Sequence, residues 1–192
     1  MSESDRQRWD AKYSAKVVPV LNPADDWLRQ HASSLTTGKA MDLACGLGHN
    51  AIWLAQQGWH VDAVDISVTG LELAKQLAEQ VQCQSISWIA ADLDSYVPTP
   101  ASCDLVVVFR FLDRVRLPAF IEAALRPGGT LIYETFTCGQ LARPDSHLKN
   151  SQFALQPNEL PGLFPRLTVL AYEEVDLVDR SVARLVARKP AV

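Results

Sequence analysis

No cluster of lysine and arginine stands anywhere in the sequence: 18 basic residues are scattered among 22 acidic ones, and the formal net charge is −4. A nucleic-acid partner asks for a basic face that neutralises phosphates, so DNA and RNA are disfavoured as substrates and no nucleic-acid partner is expected. Long apolar runs are missing too. The most sustained aliphatic stretch, Leu105 to Phe109, is far shorter than the ~20 residues that cross a bilayer as a helix. The leading residues MSESDRQRWD hold no apolar segment of the kind that directs export. This predicts a cytoplasmic protein with no membrane partner and with its four cysteines as reduced thiols. Neither C-x-x-C nor H-x-x-x-H occurs: Cys45, Cys83, Cys103 and Cys138 stand alone, as do His31, His49, His60 and His147, so no metal site is expected. Spacing offers no His–Asp pair or other general-base constellation.

What is present is the composition of a globular protein, with 48% hydrophobic and 21% charged residues in 192. That length suits a single domain over 1–192, with a helical lid region at 1–36 and a core at 37–192. Helical and strand patterns alternate along it. Helices are predicted at Ser4–Tyr13, Ala24–Leu35, Asn50–Gln57, Ser67–Gln82 and from Pro118 to Leu125. Strands are predicted at Lys39–Ala44, Trp59–Asp65, Ile86–Ala90, Asp104–Phe111 and Thr130–Phe136. Pro127-Gly128-Gly129 reads as a turn. Thr137 to Gln156 has no periodicity, and a loop that long in a compact domain is functional or disordered. Beyond a short helix near Pro157, Thr168–Glu174 and Ser181–Arg188 pair as strands through a turn at Asp179. The fold class is α/β, a seven-stranded, mostly parallel Rossmann-like sheet with helices on both faces and an antiparallel C-terminal hairpin.

The most informative run is MDLACGLGHN, Met41 to Asn50. Asp42 ends an apolar strand, small residues follow at alternate positions (Ala44, Gly46, Gly48), and a helix begins at once. Small residues let a backbone pass close to a ligand, and a helix start offers unpaired N–H groups. Gly46, Gly48 and Ala51 also satisfy the G-x-G-x-x-A dinucleotide fingerprint, with Asp65 at about the distance of its ribose acid. Asp42 decides between the two: a carboxylate at the strand end repels a pyrophosphate and attracts the ammonium and sulfonium of S-adenosylmethionine (SAM). The run resembles motif I of class I SAM-dependent methyltransferases, D/E-x-G-x-G-x-G, with Ala44 in place of the first glycine.

In doubly wound sheets ligands sit beyond the carboxyl ends of the strands, and three strands here finish in Asp42, Asp65 and Asp92. One carboxylate at Asp65 suits two ribose hydroxyls. Asp92 can accept from the adenine amino group while Leu93 presents its N–H, and Ile66 can pack on the ring. Asn50 is either a helix-start residue or a contact to the methionine half. Phe109 and Arg110 close the central strand and face the cavity floor. Trp9 and Tyr13, four apart on one helical face, either cap the pocket, Tyr13 then touching the cofactor, or dock their helix. Arg110, Arg114, Arg143, His147 and Lys149 gather at the expected rim. Arg110, Arg143 and His147 are the candidates for an anion clamp at the acceptor, whereas Arg114 and Lys149 read as solvated loop charges.

The segments WDAKYS, AVDIS, RPGGTLIYETFTCGQLARP and the F-x-L-x-P-x-E-L run at Phe153 to Leu160 are similar to the small methyltransferases of the tellurite-resistance and thiopurine groups. That resemblance, spanning Trp9 to Arg188, implies SAM as cofactor, S-adenosylhomocysteine as product and a small-molecule acceptor such as a thiol, a chalcogen oxyanion or another small anion, in a monomer or homodimer. No D/N-P-P-Y/F, Pro-Cys pair or Asp/Asn cluster past the fifth strand is present, which excludes DNA-amino, cytosine-C5 and magnesium-dependent catechol chemistries. The alternatives are a SAM-binding regulatory protein without catalysis and an NAD-binding Rossmann domain.

Overall fold

The computed structural model describes residues 3–15 and 20–191, which fall into two compact units, Met1–Pro98 and Thr99–Val192. The first begins with α1 (Glu3–Ser14), a helix with no buried residue. Acids in its first turn and Lys12 in its last complement the helix dipole, and Arg6 pairs with Glu3 and Asp10 along its surface. α2 (Asp26–Ala32) is shorter than its periodicity predicts. Asp25 is held extended, its N–H bonded 3.0 Å to Asn50 Oδ1, so the helix cannot start earlier. Leu35 closes the other end by turning back on the Ala32 carbonyl.

Three parallel strands follow, β1 (Lys39–Leu43), β2 (His60–Asp65) and β3 (Ile86–Ala90), with Asp42 opposite Ala63 and Asp65 opposite Ala90. α3 (His49–Gln56) begins on a left-handed Gly48 and is followed by Gly58 at φ +93°, a conformation that favours glycine. α4 (Val68–Gln80) is capped by Ser67, whose hydroxyl accepts from the Gly70 N–H. Its apolar face packs Leu77 and Ala78 on Ile52 of α3, with Leu47, Ile86 and Trp88 against that cluster.

In the second unit, β4 (Cys103–Phe109) is fully buried from Leu105 to Val108, as a continuous apolar run requires. It stops two residues earlier than predicted because Arg110 turns left-handed at φ +58°, although its N–H still bonds the Glu134 carbonyl at 2.8 Å. α5 (Leu117–Ala124) carries Pro118 in its first turn. It runs directly into β5 (Leu125–Phe136), and Pro127-Gly128-Gly129 is therefore not a free turn. The Gly128 N–H bonds the Lys189 carbonyl and the Lys189 N–H bonds the Gly129 carbonyl, while Lys189 Nζ closes the end of α5 on the Glu122 and Leu125 carbonyls. The stretch 137–156 holds α6 (Gly139–Ala142), a 3-10 turn at Ser151–Phe153 and a bridge between Thr137 and Leu155. After α7 (Glu159–Gly162) come β6 (Thr168–Asp176) and β7 (Ser181–Arg188). β4 and β5 are parallel, and β7 lies antiparallel to both β5 and β6. The seven strands follow the order β3-β2-β1-β4-β5-β7-β6, a mostly parallel Rossmann-like sheet with the expected antiparallel end.

One charged group is wholly inside the second unit. Glu134 on β5 is 0% exposed and accepts from Arg180 Nε at 3.0 Å and Arg184 Nε at 2.7 Å. Arg184 continues to Glu173 and Arg180 to Asp179. A buried carboxylate is tolerable only with such partners.

Candidate functional site

The chemistry-bearing residues of the first unit stand at the carboxyl ends of its strands. At the end of β1 the chain turns through Ala44 (φ +56°), Gly46 (φ +56°) and Gly48 (φ +71°), three left-handed residues in alternation. Ala44 thus adopts a conformation that its methyl group disfavours. The two glycines are required by different neighbours. A Cβ on Gly46 would stand 2.8 Å from Tyr13 Oη, whereas one on Gly48 would stand 2.5 Å from the Trp88 ring of β3. Gly48, the third small residue of the run, is therefore fixed by packing.

Asp42 is 2% exposed. The Ala51 N–H lowers its pKa, but burial, the largest influence, together with the charges of Asp25 and Asp65, holds the carboxyl well above the ordinary carboxylate range. Its Oδ2 has no hydrogen-bond partner among the described residues. A buried, half-satisfied acid with two acid neighbours lacks a cation. The ammonium and sulfonium of SAM fit that need, and a pyrophosphate would add to the repulsion. Asp65 is also buried; its Oδ2 accepts from the Gly46 N–H at 2.8 Å and its Oδ1 from the Ser67 N–H at 2.9 Å. It ties the turn to the head of α4, and with about four lone-pair directions a carboxylate keeps capacity for ribose hydroxyls. Burial, outweighing those amides, raises its pKa.

A recess of 200 Å³ brings Ile66 and Asp92 together with Val68, Ala90, Ala91 and, from α1, Glu3 and Arg6. Asp92 Oδ1 accepts from the Asp94 N–H in a local turn, and Leu93 is buried beside it. Tyr13 lies over the motif turn. Besides its approach to Gly46, its ring would touch a Cβ on Gly70 at 2.9 Å, and burial followed by the Asp65 charge pushes its pKa upward. Asp10, which the sequence reading passed over, fastens this helix: it accepts from Ser67 Oγ at 2.6 Å and the Thr69 N–H at 3.2 Å. Ser67 is the largest cause of its lowered pKa.

Asn50 is committed to Asp25. It accepts from the Asp25 N–H and donates from Nδ2 to Asp25 Oδ2, both at 3.0 Å. The same Oδ2 lies 3.2 Å from His49 Nε2. The sequence offered no His–Asp pair, and the fold makes one from residues 24 apart.

In the second unit Phe109 is buried at the end of β4 and Arg110 beside it is exposed. Arg143 donates to the Leu177 and Val178 carbonyls at 3.2 and 2.6 Å, fastening the turn between β6 and β7. His147 is exposed. Arg114 is not a solvated charge: it grips both carboxylate oxygens of Glu159 and the Gln152 and Ala154 carbonyls, Ala154 at 2.8 Å. Glu159 is the first cause of its raised pKa. Among the described residues no helix is long and apolar enough to cross a membrane.

Residues 40–129 match the family model described as a methyltransferase domain. A curated relative, the ubiquinone biosynthesis O-methyltransferase of Actinobacillus pleuropneumoniae serotype 5b (strain L20), is 29% identical over 137 residues, 66% of this chain and 58% of its own length. The chain thus spans under two thirds of that relative. Among solved structures, a SAM-dependent methyltransferase from Aquifex aeolicus superposes with a TM-score of 0.68 at 12% identity, over 98% of both chains. TehB from Haemophilus influenzae superposes at 0.69 and 21% identity, over 96% of this chain and 66% of its own. With the match over the motif turn and the sheet order that goes with it, residues 40–129 are similar to a methyltransferase domain, on the fold shared by these solved methyltransferases.

Proposed function

We propose that the protein transfers a methyl group from SAM to a small-molecule nucleophile. The observation that carries this is Asp42, a buried carboxylate with an unsatisfied oxygen beside a left-handed turn of small residues. In this reading Asp42 meets the ammonium of the methionine half, and Ala44 and Gly46 admit the ligand to close approach. Asp65 takes the ribose hydroxyls, and Asp92, Leu93 and Ile66 take the adenine. Tyr13 and α1, within the lid region at 1–36, close over that half. When bound, SAM supplies an activated methyl carbon, so the protein contributes mainly proximity and orientation.

The acceptor is drawn from thiols, chalcogen oxyanions, other small anions and hydroxyls, the last supported by the similarity to an O-methyltransferase. Arg110, Arg143 and His147 are assigned to the acceptor side. Calorimetry with SAM, S-adenosylhomocysteine and NAD tests the cofactor: binding of both SAM species and not of NAD is expected, and the reverse overturns the reading. Release of S-adenosylhomocysteine with a panel of 3,4-dihydroxybenzoate, dithiothreitol and selenite tests transfer. Tight SAM binding with no turnover on any acceptor favours the non-catalytic regulator.

A further inference from the structure

Resting on that methyl-transfer reading, we infer that His49 is the proton acceptor for a hydroxyl-bearing substrate and that Asp25 is its positioning residue. The pair is built rather than incidental. Asp25 lies ahead of α2 with its side chain 4% exposed, while His49 opens α3 and keeps 21% of its side chain exposed. Asp25 is held by the two reciprocal bonds with Asn50, one to its backbone N–H and one to the same Oδ2, so the carboxylate oxygen stays beside the ring. A carboxylate only accepts, so its Oδ2 selects the tautomer with hydrogen on Nε2 and leaves the lone pair on Nδ1. Among the described residues the ring makes no other hydrogen bond.

The place suits the task. His49 directly follows Gly48 at the carboxyl end of β1, beside the residues assigned to the methionine half, and the methyl leaves from that half. Hydroxyl acceptors are protonated at neutral pH and need a base as they attack, unlike thiolates. The acceptor O–H bond breaks and its proton passes to His49 Nδ1. The freed electron pair forms the bond to the methyl carbon, whose bond to sulfur breaks with its pair left on sulfur. The imidazolium so formed sits against the Asp25 carboxylate. Deprotonation to solvent then resets the ring.

Two readouts test this. Long-range proton–nitrogen NMR on the ligand-free protein should show His49 in the Nε2–H tautomer, a preference that Asp25→Ala should remove by taking away the acceptor. An Nδ1–H tautomer, or a tautomer balance indifferent to Asp25→Ala, overturns the pairing. With 3,4-dihydroxybenzoate as acceptor, His49→Gln should lose on the order of 10²–10⁴-fold in kcat, the usual reach of a general base, and the acid limb of the pH profile. The SAM dissociation constant by calorimetry should move far less, and added imidazole should restore part of the activity of His49→Ala. Unchanged kcat, or a loss confined to SAM affinity, overturns the proposal and leaves methyl transfer standing. So does a wild-type protein that methylates dithiothreitol or selenite but never the hydroxyl. SAM binding without turnover on any acceptor overturns the methyl-transfer reading itself, and this inference with it.

Discussion

Ala44 carries a cost that its glycine counterpart in the motif would not. A methyl group in the left-handed region is disfavoured by about 1–2 kcal/mol, of which a glycine replacement gives back part through the flexibility it adds to the unfolded chain. Ala44→Gly should therefore raise stability by about 0.5–1 kcal/mol, seen as a higher urea midpoint with an unchanged slope. Asp42 carries a cost that depends on pH. Its folded pKa is raised, so its contribution to stability is complete below the unfolded carboxylate range, near 3.8, and is lost as the pH climbs through the folded value. Asp65 pushes in the same direction. The ligand-free protein should accordingly lose stability as pH rises across that window. Asp42→Asn should flatten the slope in thermal melts taken from pH 4 to 8, stabilise the empty protein at pH 7, and weaken SAM binding at least tenfold. A steeper slope in the variant would show that the acid is not the source.

Among the elements, two side chains act as fasteners over long sequence distances. Arg114 reaches from the segment between β4 and α5 to Glu159 and to two carbonyls near the 3-10 turn. Arg114→Ala should speed amide hydrogen exchange over residues 150–160 and leave α3 and α4 unchanged. Asp10 does the same for α1 on the head of α4. If α1 is a lid, Asp10→Ala should raise both the association and the dissociation rate of SAM in stopped flow, with a smaller change in their ratio. These fasteners mark the boundary of what the sequence discloses. Strand periods and the starts of α3 and α4, each within one residue of the predicted place, are local and were legible. Arg114 to Glu159 spans 45 positions and His49 to Asp25 spans 24, and neither spacing corresponds to a helix face or a strand alternation. The turn expected at Pro127 to Gly129 failed for a related reason: its glycine amide and carbonyl are taken by Lys189, some sixty residues on.

At the scale of the molecule, the sheet order agrees with the class read from the Gly-rich turn. The buried Glu134 network was not readable, because β5 there looks like any apolar strand with a polar interruption. Removing the acid strands Arg184, itself buried, beside Arg180. Glu134→Ala should cost about 3–5 kcal/mol in a denaturant titration, and Glu134→Gln less, since hydrogen-bond acceptance survives. Lys189 gives a last, practical consequence. Its backbone is stitched to Gly128 and Gly129 and its ammonium closes α5, so three parts of the second unit meet at one residue. An affinity tag joined there without a spacer would pull on the helix and the strand edge together, and a carboxypeptidase that trimmed through it would unfasten both. Fusion partners belong beyond residue 189, on a flexible tether.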